Sequence, residues 1–235
     1  MMHTTIKSWK QAKLIKESKR LNESPMVYMT DDEFIEYNKS KSSSYYITSK
    51  GDKVDIDSSK TELHLINKDI VELNLSDCIN LEKLLCYNNQ LRQLDISKCI
   101  NLKYVSCPDN KLTELDLSNN INLERLFCYN NQLTCLDTSK CINLEYFNCR
   151  NNQLTSLDLS KNIKLEELYC YDNKLTELDI SNNIELKHLN CRNNNLTKLD
   201  ISNNIKLLNL YCDIKTNIVN INQYINNKNI EINQI

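Results

Sequence analysis

From about residue 60 onward, apolar and polar positions follow one pattern that returns every 21 residues. Cys86, Cys107, Cys128, Cys149, Cys170, Cys191 and Cys212 are spaced at that step, as are Asn89 through Asn194, Asp95 through Asp200 and Ser97 through Ser202. Seven complete units begin at Lys60, Leu81, Leu102, Leu123, Leu144, Leu165 and Leu186, and a partial eighth begins at Leu207. Within a unit the apolar residues alternate with polar ones over short stretches, the period of a strand with one buried face. Leu84, Cys86, Leu94 and Ile96 are thus assigned to the interior and their neighbours to water. One such coil cannot bury its own apolar side, but stacked coils make a continuous core. At about 4.8 Å per strand, eight coils extend roughly 35–40 Å.

The first half of each unit reads L-x-x-L-x-C-x-x-N-x-L, as in Leu81, Leu84, Cys86, Asn89 and Leu91. This resembles the leucine-rich repeat, with Cys in place of the third Leu in seven successive strands. The first unit keeps Leu65 there, so the slot calls for a buried apolar group. The resemblance covers residues 60–222. It implies a leucine-rich-repeat solenoid, mainly parallel β. The second half of each unit, as in Leu115, Leu117, Asn120 and Leu123, imitates the first, which predicts two short strands per coil and weak curvature. The Asn-rich style is also similar to repeat proteins encoded by large DNA viruses.

The ends of a solenoid need covers. Residues 1–59 are read as an N-terminal cap, with a basic helix over 7–21, a second helix over 31–40, a strand at Tyr45–Ile47 and a half-coil at Val54 and Ile56. Residues 223–235 are read as a C-terminal cap or tail, and Ile218, Ile221, Tyr224, Ile225 and Ile230 are the apolar residues available to cover that end.

Composition narrows the chemistry. A single glycine, Gly51, cannot build a phosphate-cradling loop. Against it stand 36 asparagines, which tolerate left-handed backbone at corners where glycine is otherwise used. A net charge of -2, from 29 basic and 31 acidic residues, argues against a polyanion binder acting over its whole surface. No membrane-length apolar run and no secretory leader are evident, which gives an intracellular expectation.

The cysteines lack the clustered pairs of a zinc site, and parallel neighbours in a row are poorly aimed for disulfides. They are read as buried structural thiols. The outward Asp row invites a cation, but calcium needs oxygens that converge on one point. His3, His64 and His188 form no motif with a nucleophile. No cofactor, no metal and no enzymatic activity are expected.

The outward strand positions carry more information. Before the ladder cysteine stand Leu85, Ser106, Phe127, Asn148, Tyr169, Asn190 and Tyr211; after it stand Tyr87, Pro108, Tyr129, Arg150, Tyr171, Arg192 and Asp213. Large and small residues alternate, so a period of 42 lies over the 21 and predicts aromatic rungs about 9–10 Å apart. Arg125 and Tyr146 belong to the same face. Aromatic residues and Arg anchor interfaces. The expectation is a scaffold that binds a protein partner through Tyr87, Arg125, Phe127, Tyr129, Tyr146, Arg150, Tyr169, Tyr171, Arg192 and Tyr211. Two alternatives stand beside it. One is a nucleic-acid or anionic-membrane tether through the basic residues 7–20. The other is a secreted, adhesin-like repeat protein, against which the missing leader and unpaired cysteines weigh.

Overall fold

The structure is a computed structural model that describes residues 44–219 and 231–234, all within one compact unit, Ser43–Ile235. Its backbone is a parallel solenoid. The short strands β3 (Glu62–His64), β5 (Lys83–Leu85), β6 (Tyr104–Ser106), β7 (Arg125–Phe127), β8 (Tyr146–Asn148), β9 (Glu167–Tyr169), β10 (His188–Asn190) and β12 (Asn209–Cys212) stack one per coil. Register is constant: Leu84 pairs with Val105, Leu126 with Phe147, Leu168 with Leu189. β14 (Glu231–Gln234) pairs parallel with β12 and makes a ninth strand. The C-terminal segment therefore continues the sheet at this point. Ile218 is buried, whereas the cap residues Ile221, Tyr224, Ile225 and Ile230 lie outside the described residues.

Two strands per coil are not formed. The second side carries strand only at its ends, as β4 (Ile70–Asn74) and as β11 (Lys198–Asp200) paired with β13 (Asn217–Val219). Between them each coil makes one backbone hydrogen bond to the previous one, such as Lys111 N–H to Leu91 C=O at 2.8 Å. On the corner side of that bond Asn110 Oδ1 accepts Leu91 N–H at 3.0 Å, and beyond Leu91 no further backbone hydrogen bond among the described residues joins these two coils along the second side.

The N-terminal side also departs from expectation. β1 (Tyr45–Thr48) forms where a strand is predicted, but Val54 does not open a half-coil. β2 (Lys53–Asp55) turns back antiparallel on β1, and β1 pairs antiparallel with β4. Gly51, at φ 87°, makes that turn possible. The hairpin covers the edge of the second side by pairing β1 with β4. The helices read over 7–21 and 31–40 lie outside the described residues.

The interior is one continuous cluster built from the leucine columns and both cysteine rows. Two adjacent asparagine columns divide the work of the corner after each strand. Asn88, Asp109, Asn130, Asn151, Asp172 and Asn193 take the left-handed backbone, at φ 50–56°. The residues one place on, Asn89 through Asn194, are buried and satisfy the backbone. Asn131 Nδ2 donates to the carbonyls of Cys107, Cys128 and Tyr129 at 3.1–3.2 Å, and its Oδ1 accepts Leu112 N–H at 3.0 Å. Each buried amide thus ties a coil to the one before it.

Asn131→Ala removes the acceptor of Leu112 N–H and a donor to two buried carbonyls, and is expected to cost about 1–3 kcal/mol. Asn130→Gly keeps the left-handed backbone and should cost much less. Thermal unfolding followed by circular dichroism compares them; equal midpoints would remove the buried ladder from its supporting role.

Candidate partner-binding face

Strands β5–β10 and β12 present three outward columns, one at each end of the strand and one just beyond the ladder cysteine. In the first two columns the rings do not form separate rungs. Tyr104 in β6 meets Phe127 in β7 at 5.3 Å between centroids, Phe127 stacks on Tyr146 in β8 at 4.6 Å, and Tyr146 meets Tyr169 in β9 at 5.6 Å. The rings alternate between the two columns and touch on the diagonal, which gives a zigzag across four coils. Where one column carries a ring, the other carries a small or polar residue, and Ser106 and Asn148 are buried beside the stack. The rings themselves are half-buried, because each lies against its neighbours. Burial raises the Tyr104 and Tyr146 phenols. Tyr169 is raised well above the ordinary phenol range by burial and by its hydrogen bond to Glu167 Oε2 at 2.9 Å. All of them are neutral donors at neutral pH.

The third column is a Tyr/Arg ladder. The Arg150 guanidinium lies 4.2 Å from the Tyr129 ring and 5.4 Å from that of Tyr171, and Arg192 lies 5.0 Å from Tyr171 on the other side. Arg150 Nη1 also donates to Tyr171 Oη at 2.5 Å. The column ends at Asp213, whose carboxylate accepts Asn193 N–H at 2.8 Å and Asn194 N–H at 3.2 Å. It replaces the backbone carbonyls that receive these donors in earlier coils.

Of the ten residues singled out from the sequence, Phe127, Tyr146 and Tyr169 come together in the ring stack, and Tyr129, Arg150, Tyr171 and Arg192 in the ladder. Arg125 stands exposed on β7, while Tyr87 and Tyr211 flank the ring stack, near enough to act electrostatically on the Tyr104 and Tyr169 phenols. Tyr104 was missed. Its signal is present in the sequence, since Tyr104 and Tyr146 are 42 residues apart in the column two places before the residue that precedes the ladder cysteine.

Beneath this face runs the cysteine ladder. All eleven cysteines are thiols, and every one except Cys135 is buried. Burial pushes Cys107 up to about 12 and Cys86, Cys128, Cys149, Cys170 and Cys191 well above the ordinary thiol value. Several point a weak S–H donor at the next strand, as Cys107 Sγ does at Phe127 C=O, 3.5 Å away.

Residues 121–162 match the family described as Leucine Rich repeats (2 copies). The functional domain of InlJ from Listeria monocytogenes, which includes a cysteine ladder, superposes with a TM-score of 0.52 and 26% identity, over 78% of this chain and 55% of that one. The fold is a leucine-rich-repeat solenoid. A leucine-rich-repeat protein of Leptospira interrogans gives a TM-score of 0.60 at 22% identity, over 75% of this chain and 55% of its own. Internalin C2 of Listeria monocytogenes gives 0.54 at 19% identity, over 69% and 85%. The chain thus spans about half the length of the first two. No curated protein matches it. A row of cysteines is thus a feature that this leucine-rich-repeat chain has in common with that Listeria domain.

The other side of the leucine-rich-repeat coils carries the Asp row. Each carboxylate folds back on its own coil: Ser118 N–H donates to Asp116 Oδ1 and Ser139 N–H to Asp137 Oδ1, both at 2.8 Å. Those serine hydrogen bonds lower the Asp116 and Asp137 carboxyls and outweigh repulsion from neighbouring aspartates. Among the described residues no group of three or more His, Cys, Asp or Glu could hold a metal ion. His64 is exposed beside Glu62 at 3.3 Å, His188 sits in β10, and His3 lies outside the described residues, as do the basic residues 7–20. No described helix is long and apolar enough to cross a membrane.

Two outcomes follow. A native-state reaction with a soluble thiol reagent should label one cysteine quickly, Cys135, and the other ten only on unfolding; a second fast site would contradict the buried ladder. Asp95, Asp116, Asp137, Asp158 and Asp179 all have lowered carboxyls, so their stabilisation is present above the ordinary carboxyl value and lost as pH falls through the lower folded one. The melting midpoint should hold from neutrality to about pH 5 and fall below about pH 4. In Asp116→Asn/Asp137→Asn, which keeps the turn acceptors, that acid limb should be shallower.

Proposed function

We propose that the chain is a non-enzymatic scaffold for protein–protein interaction that takes its partner on the outward strand face. The observation that carries this reading is the joining of two column systems, the ring zigzag from Tyr104 to Tyr169 and the Tyr/Arg ladder from Tyr129 to Arg192, into one surface. Its side chains are held by one another before any partner arrives, so little rotamer freedom remains to be lost on binding. Tyr87 and Tyr211 extend the apolar surface at its ends, and Arg125, Arg150 and Arg192 add positive charge for an acidic rim on the partner. The likeness to leucine-rich-repeat structures supports a binding role at the level of the fold.

The test is capture of partners from the native cell lysate with Tyr129→Ala/Arg150→Ala against the unaltered chain, folding being checked by circular dichroism. Loss of about 2 kcal/mol, roughly 30-fold in affinity, is expected for a captured protein. Undiminished capture would remove the face from the proposal. Capture lost on deleting residues 1–24, and weakened by salt, would transfer the role to the basic segment.

A further inference from the structure

On the corner that leads into each strand, Ile79 and every twenty-first residue through Ile205 point outward. Six of these seven isoleucines are 51–55% exposed, and Ile205 is 73% exposed. Together they show on the order of 700 Å² of apolar surface, above the roughly 300–600 Å² of the largest patch on an ordinary monomer. The corner does not require them for its own folding. Its interior is filled by the residue one place earlier, a buried thiol at Cys78, Cys99 and Cys141 and a buried, hydrogen-bonded amide at Asn120, Asn162, Asn183 and Asn204. The stripe is also rigid. Asn101, Asn122 and Asn143 Nδ2 donate to the carbonyls of Ile79, Ile100 and Ile121 at 3.0–3.2 Å, and β-branched side chains have few rotamers.

We infer that this isoleucine stripe is the interface of a two-fold homodimer, and that its partner is a second copy of the same chain. Two features choose that occupant. The first is pitch: the isoleucines are spaced by one coil, about 4.8 Å, and a protein surface that interdigitates with all seven at once must repeat at that pitch. A second copy has that pitch by construction, and an isologous contact sets the ridge of one against the ridge of the other. The second is area. The stripe and its polar borders supply close to the about 800 Å² that each partner gives to a stable interface. The borders carry Lys98, Lys140, Lys161, Lys164 and Lys206 against Asp77 and Glu185. In a two-fold contact centred on Ile142 with the stripes antiparallel, each of these faces an asparagine of the other copy except Lys140, which meets its own counterpart. The stripe is separate from the strand face, and the inference does not depend on the partner proposed there.

Sedimentation velocity on the full chain, from low to high micromolar concentration, tests this directly. The native chain should sediment as a dimer. Ile121→Lys/Ile163→Lys, altered at positions more than half exposed, should keep the native circular dichroism spectrum and melting profile but dissociate more than about 100-fold more readily. Tyr129→Ala/Arg150→Ala should remain dimeric, which separates this result from the strand-face test. A native chain that is monomeric throughout the range overturns the inference, as does a dimer that survives the lysine variant. A monomer that binds neutral phospholipid vesicles through these isoleucines also overturns it, and assigns the stripe to a lipid surface.

Discussion

Everything in this molecule depends on how a buried corner without glycine keeps its backbone hydrogen-bonded. The answer is one asparagine side chain per coil, which offers two protons and one oxygen at a place where the chain turns away from its strand. Because the acceptors belong partly to the preceding coil, the amide sets the distance between coils as well as the shape of the turn. Strand pairing, the leucine columns and the thiol row all inherit that spacing. The outward columns inherit it too, which is why rings one coil apart reach contact on the diagonal.

The opposite corner solves the same problem less completely. Asn120, Asn162, Asn183 and Asn204 each donate to two carbonyls of the coil before. Only Asn162 also finds a donor for its Oδ1, the Thr138 hydroxyl at 2.8 Å. The Oδ1 atoms of the other three are buried without a partner, since Ile96, Leu159 and Ile180 stand where threonine would be needed. Thr138 looks like an intruder in an apolar column, yet it is the residue whose polarity the corner can use.

The repeat made most of the solenoid legible. Leu84, Cys86, Leu94 and Ile96 are buried as their alternation implies, because inside a stack each coil has the same neighbours and one reading serves them all. What depended on particular pairs was harder. On the second side the apolar alternation is as regular as on the first, yet one backbone hydrogen bond per coil is all that joins its middle coils, and alternation alone does not encode that difference. At the N-terminal side Val54 alternates like a coil residue but follows the turn at Gly51, so it pairs backwards. The ring stack was half visible, since Tyr104 lies in a different column from Phe127 and diagonal contact is not a sequence period. The isoleucines show the reverse difficulty. Their spacing is as strict as that of the cysteines, and apolar periodicity reads by default as core.

The double period on the strand face bears on how such a chain finds its own order. Coils with the same interior are interchangeable from inside: the buried amides, leucines and thiols of one would fit almost any other. A chain assembling from contacts about twenty residues apart could therefore skip a coil, loop it out and still close a seamless core. The outer surface forbids the single skip. Bringing the coil of Tyr104 against that of Tyr146 sets two rings in one column and none in the other, and bringing Tyr129 against Tyr171 expels the guanidinium between them. The alternation of large and small, whatever else it serves, numbers the coils for the folding chain.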